Sequence, residues 1–303
     1  MTRAGPRGYV AASAAGPMPE IESRGFAPVP GGQLYFERAG TGPALVLIHS
    51  AFLDCREWDP QMDSFARTHT VVRYDVRGWG RSAGDRTEVS DGEDLTALLN
   101  HLDVRQAFVL GNSNGARIAA EFAAGFPDRT RGLILVAGGP HDLDPTPEEQ
   151  ARFMDSMDQE QRLLDLVKAG RKPEAVEVIL DIWAPQVPGP ERDRLRGITA
   201  ENYEQFVTFM TSTTPPGRPP SYPVQARLRQ GDTPILSIAG AHDEPALTMM
   251  MGRFAQEAPS ARFHLLPDGD HTPSLSARAE FEAVVLEFLT TVETRGTWPP
   301  RPG

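Results

Sequence analysis

Ser113 stands between Gly111 and Gly115 in the run LGNSNGARIAAEFAAGFP, residues 110–127. Glycines at that spacing cost both strand and helix stability. An apolar run, AFVLGN, precedes the serine and a helical pattern follows it. Such a strand-to-helix turn imposes strained backbone angles on the serine, and a Cβ at either flanking position would strike neighbouring backbone. The turn lifts the hydroxyl above the sheet edge, at a helix N-terminus where free N–H groups favour negative charge. Residue type and placement both suit a nucleophile.

A serine alone is a poor nucleophile; it needs a base, and the base needs an orienting acid. In an open parallel sheet such groups gather at the carboxyl ends of the strands. ILSIAGAHDEPA ends one strand with Asp243 in its loop, and FHLLPDGDHTPS ends the next with His271 in its loop. Ser113, Asp243 and His271 are therefore the candidate nucleophile, acid and base. Oxyanion donors are expected from the N–H of Asn114 and from Ala51 or Phe52, in the loop after ALVLIHS. Two backbone donors aimed at a developing oxyanion lower a barrier by several kcal/mol.

The elements that must position these groups are legible as alternating patterns. ALVLIHS, TVVRYDV, AFVLGN and GLILVAGG are continuous apolar runs, the mark of strands buried on both faces. Between them EWDPQMDSFARTH, SDGEDLTALLNHLD (capped at Ser90 or Asp91) and NGARIAAEFAAGFP read as helices. Strands alternating with helices imply βαβ units and a mostly parallel sheet with helices on both faces. Gly31–Gly32 separates two extended runs and predicts a hairpin. After Gly139 the alternation stops. Three helical segments follow, PEEQARFMDSMDQEQRLLDLVKAG (capped at Thr146), KPEAVEVILDIWA and ENYEQFVTFM, and TTPPGRPPSYP serves as a stiff linker back. The last strands and SARAEFEAVVLEFLTTV then close the chain. The expected organisation is a flexible extension over 1–25, a core over 26–139 and 227–303, and a helical cap over 140–226.

Forty per cent of the 303 residues are hydrophobic, enough for one large α/β domain with an insertion. A formal net charge of −11 repels phosphate backbones, so nucleic acid is not an expected partner. No apolar stretch reaches the ~20 residues of a membrane helix, and the Ala-rich start is a weak imitation of a signal peptide. A cytoplasmic location and no membrane partner are expected. The lone cysteine, Cys55, excludes an internal disulfide and reads as an inert thiol. No clustered ligands suggest a metal.

Taken together, these motifs resemble the α/β-hydrolase superfamily from about residue 26 to the end. LIHS followed by AFLD looks like the oxyanion strand and loop, YDVRGWGRS like the D-x-R-G-x-G-x-S segment, and GNSNG like the nucleophile elbow. GAHDEPA and DGDHTPSLSARAEF look like the acid and histidine blocks, and the order Ser, Asp, His is that of this superfamily. The helical insertion stands where members carry a cap. The resemblance implies an acyl-enzyme mechanism in which Ser113 attacks a carbonyl, His271 moves the proton and Asp243 holds the imidazole. A serine nucleophile argues against the dehalogenases of this superfamily, which use aspartate.

Some departures stand out. Ser50 replaces the glycine usual after the oxyanion-strand histidine, the elbow lacks the frequent second glycine and has Ala116 followed by Arg117, and amides, Asn112 and Asn114, flank the nucleophile. The amides could bond a polar substrate or satisfy the turn. His49 is expected to brace the oxyanion loop, Asp75 and Arg77 to form a buried pair, and Asp142 and Asp144 to be solvated. His141, Met154, Trp183, Phe206 and Met210 are the candidate pocket lining, since the underside of a cap forms the roof over the serine. The leading expectation is a cofactor-free serine hydrolase acting on an ester, lactone or thioester of a small apolar molecule, with a homodimer left open. Its alternatives are a C–C bond hydrolase, lyase or perhydrolase on the same triad, or a non-catalytic ligand-binding member.

Overall fold

The computed structural model describes residues 21–86, 89–212 and 217–298. The chain starts with a hairpin, β1 (Ser23–Val29) and β2 (Gly32–Ala39), then β3 (Ala44–Ile48), α1 (Asp59–Phe65), β4 (Thr70–Tyr74) and the two-residue β5 (Ala83–Gly84). There follow α2 (Asp91–His101), β6 (Ala107–Asn112), α3 (Asn114–Gly125) and β7 (Thr130–Val136). The insertion holds α4 (Pro147–Lys168), α5 (Lys172–Trp183), α6 (Gly189–Glu201) and α7 (Tyr203–Thr211). The chain ends with α8 (Val224–Gln230), β8 (Ile235–Gly240), α9 (Pro245–Glu257), β9 (Ala261–Leu266), the single turn α10 (Pro273–Ser276) and α11 (Arg278–Arg295).

The sheet order is β1-β2-β4-β3-β6-β7-β8-β9, with β5 paired to β2. From β4 to β9 every pairing is parallel; β2 runs antiparallel to its neighbours. The central strands are apolar throughout because both faces are covered. Val46, Ile48, Val109, Leu133 and Leu135 join one core with Leu95, Leu98 and Phe122 from α2 and α3. The alternating residues Leu45, Leu47, Phe108, Leu110 and Ile134 join the other with Phe65 from α1 and Phe281 and Phe288 from α11. Period-two alternation thus serves two cores.

Thr146 caps α4 in a reciprocal box: its hydroxyl accepts from the Glu149 amide at 3.2 Å while Glu149 accepts from the Thr146 amide at 2.7 Å. Helix α6 was not expected. Its sequence is rich in charge, and only Leu195, Ile198 and Thr199 turn inward, too sparse a stripe to register as a periodic face. Strand β1 begins at Ser23, inside the expected extension, of which residues 1–20 lie outside the described residues. The expected cap boundary at 226 falls inside α8, which packs on α3 of the core. The first four residues of the expected linker, 213–216, lie outside the described residues. Among the described residues no helix is long and apolar enough to cross a membrane.

Candidate active site

At the end of β6 the chain reverses into α3 through Ser113, whose backbone sits at φ +55° and ψ −114°. That region is costly for any residue with a side chain, and it is held there by its surroundings. A Cβ on Gly111 would lie 2.0 Å from the Gly115 carbonyl oxygen, and one on Gly115 would lie 2.2 Å from that of Ile48. Only glycine fits at either place. The Ser113 amide is anchored to the Val136 carbonyl at 2.8 Å, tying the turn to β7.

His271 Nε2 lies 2.8 Å from Ser113 Oγ, and its Nδ1 lies 2.8 Å from Asp243 Oδ1. A carboxylate accepts, so Nδ1 carries the proton and Nε2 is left to accept from the serine hydroxyl. Burial alone would push the His271 pKa down. The charge of Asp243 and its hydrogen bond outweigh burial, with smaller help from Asp270 and Glu57, and hold the imidazole above its ordinary value. The two loops are stitched together, since the His242 amide donates to the Gly269 carbonyl at 2.8 Å. Asp243 Oδ1 also accepts from the Glu244 amide at 2.7 Å. Asp270 is buried beside His271, accepting from the Thr272 amide at 2.8 Å and from the hydroxyls of Thr272 and Ser276 at 3.0 and 2.8 Å.

Ala51, Phe52 and Asn114, the expected oxyanion donors, are buried. His49 donates from Nδ1 to the Ser50 carbonyl at 2.7 Å and accepts the Val76 amide on Nε2 at 2.9 Å, bracing this loop as expected. Sequence reasoning missed Glu57. Its carboxylate is completely buried and accepts from the Ser50 amide at 2.7 Å, the Ser50 hydroxyl at 3.0 Å and Asn112 Nδ2 at 2.8 Å. The available signal was indirect: two polar departures, Ser50 and Asn112, at adjacent strand ends.

The family model described as "Alpha/beta hydrolase family" matches residues 45–284. The chain belongs to the alpha/beta hydrolase family. Among its relatives is a 2-hydroxy-6-oxononadienedioate/2-hydroxy-6-oxononatrienedioate hydrolase from Burkholderia vietnamiensis, 27% identical over 85% of this chain and 91% of the other. A solved hydrolase from Pseudomonas aeruginosa superposes with TM-score 0.68 at 25% identity, covering 89% of this chain and 99% of its own. An enol-lactonase from Burkholderia xenovorans shares the fold with TM-score 0.69 at 21% identity, covering 88% and 100%. This protein is accordingly a hydrolase, and the fold is the one its motifs resemble.

The helical insertion of this alpha/beta hydrolase packs on the loop after β3 through an aromatic cluster. Phe52 stacks on Trp183 with ring centroids 6.0 Å apart and meets Phe206 edge-on at 6.3 Å, while Trp183 and Phe206 meet at 5.4 Å. Met210 is half-buried against the same core. Met154 is elsewhere: it lies on the outward face of α4 and is 65% exposed. A helix stripe does not reveal which side its neighbours cover. His141 is exposed, pairs with Glu121 at 3.1 Å, and lines a cavity of about 210 Å³ with Leu135, Gly138, Leu143, Met251 and Phe254. Gly138 also abuts the Ser113 backbone, where a Cβ would come within 2.7 Å of the Ser113 oxygen.

Three charge assignments differ from expectation. Arg77 pairs with Asp94, at 2.8 and 2.6 Å, rather than with Asp75. Asp75 instead accepts from the amides of Cys55 and Arg81 at 2.9 and 2.8 Å. Asp142 is not free in solvent, since it accepts from the Gln225 amide at 3.0 Å. Asp54, Cys55 and Asp75 converge closely enough to suggest a metal, but Arg56, Asn202 and Arg81 already occupy the carboxylates. Burial pushes the Cys55 thiol well above its ordinary pKa, which keeps it protonated and a poor ligand.

Proposed function

We propose that this hydrolase cleaves a carboxylic ester, lactone or thioester of a small, largely apolar molecule through Ser113, His271 and Asp243. The observation that carries the reading is the unbroken pair of 2.8 Å contacts from Ser113 Oγ through the imidazole to Asp243. Ser113 Oγ attacks the carbonyl carbon while His271 Nε2 takes its proton. The carbonyl oxygen becomes an oxyanion held by the amides of Asn114 and Ala51 or Phe52. Collapse expels the alcohol or thiol, which receives the proton from Nε2 and leaves an acyl-serine. Water then repeats the attack with His271 as base, releasing the acid and restoring Ser113. Each bond broken and proton moved is balanced by these side chains and water, with no cofactor in any step.

The apolar substrate class is supported by the aromatic cluster of Phe52, Trp183 and Phe206 that the helical insertion places over the loop after β3. A C–C bond hydrolase is the second reading, favoured by the named activity of the Burkholderia vietnamiensis relative. The test is turnover of p-nitrophenyl esters of increasing chain length, lactones, thioesters and vinylogous diketones, each with a Ser113→Ala control. Short-chain ester turnover that is lost in the control supports the proposal. Preference for diketones moves it to the second reading, and no labelling of Ser113 by a fluorophosphonate removes both.

A further inference from the structure

We infer that Glu57 is a positioning residue that ties together the two strand ends carrying the oxyanion donors and so sets the geometry of the oxyanion hole. The inference rests on the serine-hydrolase reading above. Ser50 lies just beyond β3 and is followed by Ala51 and Phe52; Asn112 closes β6 and is followed by Ser113 and Asn114. The parallel pairing of these two strands ends at Ile48 and Gly111. Beyond that point the Glu57 carboxylate provides the next cross-link. Its Oε2 accepts both the amide and hydroxyl of Ser50, and its Oε1 accepts Asn112 Nδ2. Ser50 and Asn112, both singled out in the sequence, are thus partners of one buried acid.

The carboxylate is held in turn by the short helical turn Cys55–Trp58, where the Glu57 amide donates to the Asp54 carbonyl at 2.8 Å. Burial pushes its pKa up, against the pull of the Ser50 amide, His49, Asn112 and the Ser50 hydroxyl. A completely buried acid is costly to keep, and an apolar residue would fill the same space for packing alone. Its charge also reaches His271, together with those of Asp243 and Asp270.

The test uses the full-length enzyme and p-nitrophenyl butyrate. Wild type is first checked for fluorophosphonate labelling at Ser113; failure there sinks the hydrolase reading itself. Glu57→Ala is expected to lower kcat per folded molecule by about 10- to 100-fold with little change in KM, and to slow labelling in proportion. Glu57→Gln keeps the link, because its amide can face Asn112 Oδ1, an atom without a partner among the described residues, once that side chain flips. It should recover most of kcat while moving the acid limb of the kcat/KM profile to lower pH, as the imidazolium loses a nearby negative charge. Labelled wild type with an unchanged kcat per folded Glu57→Ala overturns the inference. If Glu57→Ala does not fold, Asn112→Ala cuts the same link from the β6 side: a fall in kcat per folded molecule with little change in KM supports the inference, and an unchanged kcat overturns it.

Discussion

The carboxylate of Asp270 accepts a hydrogen bond from the backbone amide of Gln186 at 2.9 Å, so the residue before the candidate base is joined directly to the helical insertion. The same carboxylate organises the turn that carries His271 through Thr272 and Ser276. Cap placement and imidazole placement therefore share one buried anion.

Asp270→Ala should for that reason act on stability and activity together. It removes the acceptor for four donors at a buried site, which predicts a loss of about 2–4 kcal/mol. Chemical unfolding measures that loss. Activity per folded molecule should fall as well, because the histidine turn loses its internal ties; unchanged kcat would show that the turn holds without them.

The pKa of His271 lies above its ordinary 6.5, because Asp243 outweighs the opposing effect of burial. The base must be neutral to accept from Ser113, so kcat/KM should fall with decreasing pH through an acid limb placed above 6.5. For stability the sign is the reverse of a carboxylate's: the contribution is complete below 6.5 and is lost as pH rises through the folded-state value. Asp243→Asn should move the limb downward and cost about 10⁴-fold in kcat through the wrong tautomer. A pH–rate profile of both proteins checks this.

Asp54 links the loop after β3 to the cap, accepting from Asn202 Nδ2 at 2.9 Å. Burial would raise its pKa, but hydrogen bonds from the Arg56 side chain, Asn202 and the Arg56 amide lower it from 3.8 to about 2. The gap contributes about 2 kcal/mol of stability above pH 3.8, lost as pH falls through about 2. Asp54→Asn should therefore be less stable than wild type at pH 7, with the difference shrinking in acid. Urea unfolding across that range measures it; a constant difference would point to packing rather than charge.

Phe206 and Met154 were both candidates for the pocket, and the structure separates them. Phe206→Ala removes a ring buried between Trp183 and Phe52 and should cost about 3–5 kcal/mol, with a change in KM as the roof loosens. Met154→Ser, on the outer face of α4, should leave stability within about 0.5 kcal/mol and kinetics unchanged. Thermal unfolding and Michaelis profiles of the two variants distinguish them.

Local chemistry was readable wherever a residue's role is settled by its immediate neighbours in the chain. Gly111 and Gly115 had to be glycine because backbone passes within about 2 Å of where their Cβ would be, and that spacing marks Ser113 in any reading. Apolar runs announced the buried strands, and Thr146 with Glu149 announced the start of α4. Other features depend on which distant segments meet. Glu57 looks like an ordinary surface acid until β3 and β6 lie side by side beneath it. Arg77 has Asp75 two residues away, yet its guanidinium reaches Asp94 on α2. Met154 and Phe206 share the helical periodicity of a cap, and only packing assigns one to solvent and the other to the core. Steric exclusion and apolar pattern act within a few residues, so sequence determines them. Charge pairing and burial are set by three-dimensional neighbours, so only the folded chain decides them.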